Sequence, residues 1–277
     1  MLAPAFSKLA VLLSALFHSP AVSPGIVPNS DLDLVRIETF DFAFRAPATA
    51  RSGFNRIRVV NRGPSPHHVE LTKVPDTSTV AGLYKAYTGS AMPAGLKDWG
   101  GPNVTAKGDS SEAIVELKPG RYSVTCWVTG ANKKEHVMSG MMTLIDVKRA
   151  PSPSPEPKAD IVLRTSDYRF DLSAPLTRGA HLVRFENDGP QEHDVQIVKL
   201  RAAGSMKKIL KWAADGLIGA PPSADLAGGA TGIDPHNRVW FPLSLTPGRY
   251  AMYCFVPDRK DGKPHILHSM WKEFTVR

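Results

Sequence analysis

A chain of 277 residues is long enough for one large domain or two ordinary ones, and its 42% hydrophobic and 22% charged residues are those of a globular protein. The formal net charge of +8 gives a basic surface, suited to an acidic protein partner or an anionic membrane face. It has no dense Lys/Arg run with interleaved aromatics, which argues against nucleic acid as the partner.

Residues 1–21 read as an export signal. Lys8 supplies the positive start, "LAVLLSALF" (9–17) the short apolar centre, and Ser19 and Ala21 the small residues of a cleavage site. The apolar stretch is too short to span a bilayer and no later segment reaches the ~20 residues needed, so no transmembrane segment is expected. The protein is therefore expected in the periplasm or outside the cell.

From there the chain reads mainly as β. After "TFDFAF" (39–44), "NRIRVV" (55–60) alternates polar and apolar residues with the period of a half-buried strand. "NRGPSPHHVEL" (61–71) follows. "STVAGLYKAY" (78–87) then places Val80, Leu83, Tyr84 and Tyr87 on one helical stripe that is expected to face the core. In "LKPGRYSVTCW" (117–127), Pro119-Gly120 marks a turn and Tyr122, Val124 and Cys126 share a strand face. The Leu-x-Pro-Gly-x-Tyr pattern is similar to the tyrosine corner of Greek-key sandwiches, where the hydroxyl satisfies nearby backbone. "HVMSGM" (136–141) leads into the last strand before the Pro-rich stretch "RAPSPSPEPKAD" (149–160), an extended linker.

Beyond the linker the order repeats. "TSDYRF" (165–170) matches "TFDFAF", and "HLVRFE" (181–186) is a second alternating strand. "NDGPQEHDVQI" (187–197) matches "NRGPSPHHVEL", and "SMKKILKWAADGL" (205–217) carries a helical stripe of Met206, Ile209, Leu210, Ala213 and Leu217. "LTPGRYAMYCF" (245–255) and "HILHSM" (265–270) match the Cys126 strand and the segment after it. The chain is thus read as two copies of one domain, 30–148 and 161–277, joined by residues 149–160. The fold class is all-β: two tandem Greek-key β-sandwiches, each with one short helical insertion.

The repeat selects candidate ligands. Only two cysteines occur, at equivalent places in the two copies, each expected inside its own core. A disulfide needs Cα atoms within roughly 7 Å, so both should stay unpaired, which favours a metal-binding role for the thiols. His67 aligns with His193, His136 with His265 and Met141 with Met270, whereas His68, His181, His236 and His268 have no histidine counterpart. His67, Cys126, His136 and Met141, and again His193, Cys254, His265 and Met270, combine one thiolate, two imidazoles and a thioether. That set suits copper cycling between Cu(I) and Cu(II) better than structural zinc, which prefers more Cys or His and no Met. Met138 and Met142 do not repeat and read as core residues.

Each copy resembles a cupredoxin, the domain of type 1 (blue) copper proteins. The resemblance rests on an upstream His followed by Cys126-x9-His136-x4-Met141 in one copy and Cys254-x10-His265-x4-Met270 in the other. It implies a β-sandwich with the ligands at one pole, one-electron transfer, and an acidic redox protein as partner. Its longer Cys–His spacing is closest to that of copper nitrite reductases. Many cupredoxins carry Asn directly after the first His, where it braces the Cys loop; here the positions hold His68 and Asp194. A Cu(I) store and a metal-free binding module of the same fold are the alternatives. An enzyme is not expected: the residues flanking the cysteines are Thr125, Trp127, Tyr253 and Phe255 rather than an electron-relaying His, and no His-x-His pair occurs.

Overall fold

The computed structural model describes residues 31–89, 95–152 and 154–277; the signal segment 1–21 lies outside them. The first repeat contains β1 (Asp33–Phe40), β2 (Ala43–Arg45), β3 (Thr49–Arg51), β4 (Gly53–Asn61), β5 (Glu70–Val74), α1 (Val80–Tyr87), β6 (Lys97–Asp98), β7 (Ser110–Leu117), β8 (Gly120–Thr125) and β9 (Met142–Lys148). The second contains β10 (Ile161–Ser166), β11 (Arg169–Leu172), β12 (Gly179–Asn187), β13 (His193–Leu200), α2 (Met206–Ala214), β14 (Ala224–Ile233), β15 (Arg238–Leu245), β16 (Gly248–Tyr253) and β17 (Trp271–Val276). A one-turn 3₁₀ segment precedes the last strand of each repeat, at His136–Ser139 and His265–His268.

The alternation read in the sequence decides which face of each strand is buried. In β4, Ile57 and Val59 enter the core while Arg56 and Arg58 stay at its edge, and Arg56 forms a two-pronged ion pair with Glu112 of β7 at 2.9 and 3.0 Å. β12 buries Val183 and Phe185 in the same way. Each sandwich packs such a sheet against its own second one, ordered β3-β9-β8-β5-β6 in the first repeat and β14-β13-β16-β17 in the second. The tyrosine corners form in both copies. Tyr122 Oη accepts from Lys118 N (3.0 Å) and donates to Lys118 O (3.1 Å), and Tyr250 Oη does the same with Thr246 N (3.1 Å) and O (2.9 Å). The turn before each corner requires Gly, at φ +132° for Gly120 and +152° for Gly248.

The helices depart slightly from the expected stripes. Leu83 and Tyr87 of α1 are buried against Val74, Val137 and Met142, but Val80 and Tyr84 are exposed, so only part of the stripe of the eight-residue helix faces the core. In α2, Met206, Ile209 and Ala213 face inward. Thr79 and Ser205 cap the two N-termini, their hydroxyls accepting from Gly82 N and Lys208 N.

The two repeats are not held apart by the Pro-rich stretch. Their inner sheets merge into one eight-stranded sheet, β11-β10-β12-β15-β7-β4-β1-β2. The seam is the antiparallel pair β7–β15, with Val115 opposite Val239 and Ile114 opposite Trp240. Trp240 stands edge-on to Phe54 (5.3 Å, 89°) in a cluster with Leu32, Ile114 and Leu182, drawn from both repeats. Further hydrogen bonds cross the interface: Thr231 N to Gly101 O (2.9 Å), Thr231 Oγ1 to Val69 O (3.1 Å) and Asn237 Nδ2 to Asp98 O (2.9 Å). Among the described residues no helix is long and apolar enough to cross a membrane.

Candidate metal centre

The same construction produces one centre in each repeat. In the first, His67 follows β4 and is fixed by backbone pairing with Thr105; Cys126 directly follows β8; His136 opens the 3₁₀ turn. The Cys–His loop folds back on itself through His136 N to Val128 O (3.0 Å) and Val137 N to Cys126 O (2.8 Å). Gly140, at φ +91°, then reverses the chain so that Met141 N reaches His136 O at 3.1 Å. The second repeat uses His265 N to Val256 O (2.9 Å), Ile266 N to Cys254 O (2.8 Å) and Met270 N to His265 O (3.1 Å), with Ser269 at φ +68° in the place of the glycine.

These loops bring the imidazoles onto the sulfur. Cys126 Sγ lies 3.8 Å from His67 Nδ1 and 3.6 Å from His136 Nδ1, and the two nitrogens are 3.1 Å apart. Cys254 Sγ lies 3.9 Å from His193 Nδ1 and 3.5 Å from His265 Nδ1. Donors held about 2.0–2.3 Å from one ion stand roughly 3–4 Å from each other, so both triangles have the size of a metal-binding set. Both cysteines are free and buried, and Met141 and Met270 are fully buried at the ends of the two turns. Met142 packs in the core with Val74, Leu83, Tyr87 and Val137, and Met138 lies against that cluster.

Protonation follows from burial. Burial pushes the Cys126 thiol up to about 12 against backbone N–H bonds from His68 and Val128. Cys254 is raised well above its ordinary value by burial and then by the nearby Asp194 charge. Burial and the facing imidazole push His136 and His265 down to about 4. The metal-free centre at neutral pH therefore holds a thiol and neutral imidazoles, and a bound cation displaces the thiol proton.

The surrounding residues orient the donors. Asp41 Oδ1 accepts from His67 Nε2 (2.9 Å) and Asp167 Oδ1 from His193 Nε2 (3.1 Å). A carboxylate only accepts, so the proton sits on Nε2 and the Nδ1 lone pair faces the sulfur. Burial alone would raise Asp41, but hydrogen bonds from Ser65 and His67 outweigh it and hold the carboxyl below its usual range. The next residue covers the second imidazole: Phe42 stands edge-on to His136 (5.3 Å) and Tyr168 to His265 (5.4 Å). Both aromatic residues have φ +64°, at the tips of the β1–β2 and β10–β11 hairpins. The repeated "TFDFAF" and "TSDYRF" hold this signal in a shared Asp-aromatic pair; taken only as a mark of the repeat, it conceals four residues around the centres.

His68 and Asp194 keep the brace of the Cys loop despite not being Asn. His68 Nε2 accepts from Trp127 N and Asp194 Oδ1 from Phe255 N, each at 2.8 Å. Only an acceptor at that position is required. Beside the second centre, Asp258, Asp261 and His268 bring their donor atoms within 4.8 Å of one another. Asp258 Oδ2 already accepts from Tyr168 and Gln191 there, tying the Cys254–His265 loop to the body of the repeat.

The architecture is cupredoxin-like, a Greek-key sandwich with a His-Cys-His centre at the pole of each repeat, and the donor set is that of a copper site. No family model and no curated protein sequence matches the chain. Among solved structures, auracyanin A, a "blue" copper protein from Chloroflexus aurantiacus, is 21% identical, covers 42% of this chain and 99% of its own, and has a TM-score of 0.29. A blue copper oxidase from Nitrosomonas europaea is 16% identical over 88% of this chain and 85% of its own, TM-score 0.26. A copper-containing nitrite reductase from Thermus scotoductus is 11% identical over 88% and 61%, TM-score 0.24.

These comparisons correct the exclusion of an enzyme. The chains similar to this one over most of its length include an oxidase and a reductase by name. The exclusion rested on linear motifs, a His beside each Cys and His-x-His pairs. Residues far apart in the chain meet in three dimensions without leaving any such motif, as His67 and Cys126, 59 positions apart, do.

Proposed function

We propose that this is an exported copper protein that handles single electrons at a type 1 centre in each repeat, in the periplasm or outside the cell. His67, Cys126, His136 and Met141 would hold one copper, and His193, Cys254, His265 and Met270 the other, within domains 30–148 and 161–277 flanking the linker 149–160. The observation that carries this reading is the twofold occurrence of a buried Cys sulfur with two imidazole Nδ1 atoms 3.5–3.9 Å from it. Bound copper supplies the Cu(I)/Cu(II) couple.

The chain's own residues supply the rest. Asp41 and Asp167 hold the ring tautomer, and His68 and Asp194 hold the Cys loop. Phe42 and Tyr168 shield the imidazoles, so water is kept from the donors. A donor set fixed in this way by the fold need not rearrange when one electron arrives or leaves. Lys133 and Lys134 are exposed in the first Cys–His loop and Arg259 and Lys260 in the second, a basic rim that suits an acidic redox protein. The core positions of Met138 and Met142 favour this reading over a Met-rich Cu(I) store.

Reconstitution with Cu(II) tests it. Cys126→Ser should lose roughly half of the thiolate-to-copper band and leave the second centre's potential unchanged, Cys254→Ser should do the converse, and the double variant should be colourless. Loss of all colour from one substitution in a folded protein would refute the ligand assignment.

A further inference from the structure

One buried side chain joins the two centres. Asn103 lies in the first repeat between β6 and β7 and is 3% exposed. Both hydrogens of its amide cross to the second repeat, Nδ2 donating to Val195 O (2.9 Å) and to Ala230 O (3.0 Å). Its own oxygen accepts from Val104 N at 2.7 Å, which fixes the amide orientation. Two residues on, Thr105 pairs with His67 in both directions: His67 N donates to Thr105 O (3.1 Å) and Thr105 N to His67 O (2.7 Å). On the far side, Val195 is two residues from His193, and Asp194 N between them donates to Cys254 Sγ at 3.4 Å.

These contacts form an unbroken run. It passes from His67 through a hydrogen bond to Thr105, along the chain to Asn103, through a second hydrogen bond to Val195, and along the chain to His193 or through Asp194 N–H to the Cys254 sulfur. Thr105, Asn103, Val195 and Asp194 are all buried. Electronic coupling survives covalent and hydrogen bonds far better than open gaps, and contiguous packed networks with fixed donors are the physical route by which sites communicate. The amide does not titrate, so the link is independent of pH.

The centres also differ in their access to solvent. Phe42, over the first, is 43% exposed. Tyr168, over the second, is half-buried and bonded to Asp258, while Gln191 bonds to Asp167 and Asp258 and accepts from Arg259 N, closing that loop. The ligand residues are buried in both centres, and the more exposed ring over the first offers the nearer surface to an incoming redox partner.

We infer that Asn103 is the bridge for direct electron exchange between the two centres, so that an electron received at the first passes internally to the second. This rests on the reading of both triangles as copper centres. In the step, Cu(I) of the first centre becomes Cu(II) and Cu(II) of the second becomes Cu(I). One electron moves, no bond forms or breaks, and no proton is transferred. A one-electron donor protein supplies the electron initially.

The test uses the full chain loaded with Cu(II) at both centres and a substoichiometric pulse of a photogenerated one-electron reductant. The spectra of the Cys126→Ser and Cys254→Ser variants identify each centre's signal. The expected result is rapid reduction of one centre followed by redistribution to the other, at a rate unchanged on dilution of the protein. Asn103→Leu should lose that redistribution phase while both centres keep their bands and potentials. Asn237→Leu, which removes a different interface hydrogen bond (to Asp98 O), should retain it. Redistribution in the wild-type protein that slows in proportion to dilution would overturn the inference without recourse to any variant, as would an unchanged phase in Asn103→Leu. Absence of a thiolate-to-copper band in either centre would instead overturn the copper reading on which the inference stands.

Discussion

Trp240→Ala should weaken both repeats together. The indole is fully buried, lies opposite Ile114 across the β7–β15 seam and stands edge-on to Phe54, so two of its main neighbours belong to the other repeat. Truncating a buried Trp to Ala costs about 3–5 kcal/mol. Part is offset, because Trp240 Nε1 is buried without a hydrogen-bond partner and removing such an orphan donor restores about 1–3 kcal/mol. The net loss is about 2 kcal/mol, within bounds of about 0–4, a sizeable fraction of the 5–15 kcal/mol typical of a folded protein. Trp240→Phe keeps an aromatic edge against Phe54 and discards the orphan, so it should stay within about 1.5 kcal/mol of wild type. The assay is urea unfolding of the metal-free protein, read by thiol reactivity in Cys126→Ser and Cys254→Ser backgrounds. Each repeat then reports through one cysteine that is inaccessible when folded. In Trp240→Ala both thiols should become reactive at the same lowered midpoint. If Cys254 were unmasked early while Cys126 kept its original midpoint, the shared sheet would not be a cooperative unit and the reasoning would fail.

Three further outcomes follow from single hydrogen bonds or charges. Asp41→Ala removes the acceptor that orients His67 and should lower copper affinity of the first centre by about 10–100-fold, leaving the second unchanged; competitive titration in a Cys254→Ser background measures it. Tyr122→Phe deletes both bonds of its corner and should cost about 1–3 kcal/mol in urea unfolding, and an unchanged midpoint would contradict the role given to the hydroxyl. Asp98 is raised to about 6 from its ordinary 3.8, chiefly by burial and also by the nearby Asp234 charge. Its folded form therefore binds the proton more tightly, and the stability this group contributes is present below pH 3.8 and lost as pH rises through 6. Asp98→Asn keeps an acceptor for Thr72 Oγ1 and should be more stable than wild type at pH 8, with the gain vanishing toward pH 4; an equal gain at both values would contradict the assignment.

The proposed ligand residues stood out because they occur twice. A single His or Met among the many in a chain carries little information, but His67, Cys126, His136 and Met141 recur in order as His193, Cys254, His265 and Met270. The strands were legible from their alternation, and the corners from the Pro-Gly-x-Tyr turns. The merger of the two inner sheets was not. β7 and β15 lie far apart in the chain; each buries three consecutive apolar residues (113–115 and 239–241), which marks a strand covered on both faces but does not name its partner, while the Pro-rich stretch between the repeats suggests separation. Asp41 and Asp167 were hidden for a different reason. They sit at hairpin tips, and their contact with the ligand imidazoles depends on the left-handed turn residue that follows each of them. Glu70, Asp98, Glu192 and Asp194 come from both repeats, and the interface brings them together and burial raises all four. Asn103 is one asparagine in a loop, and only the docking of the second repeat gives its amide two carbonyl partners.

The central claim is that each His-Cys-His triangle binds copper through its thiolate. The most direct measurement is copper analysis combined with visible absorption and electron paramagnetic resonance of the purified full chain after Cu(II) reconstitution. One copper per triangle, an intense thiolate-to-copper band and a narrow copper hyperfine splitting are expected. Copper bound without either spectroscopic signature, or a chain that takes up no copper, would contradict it.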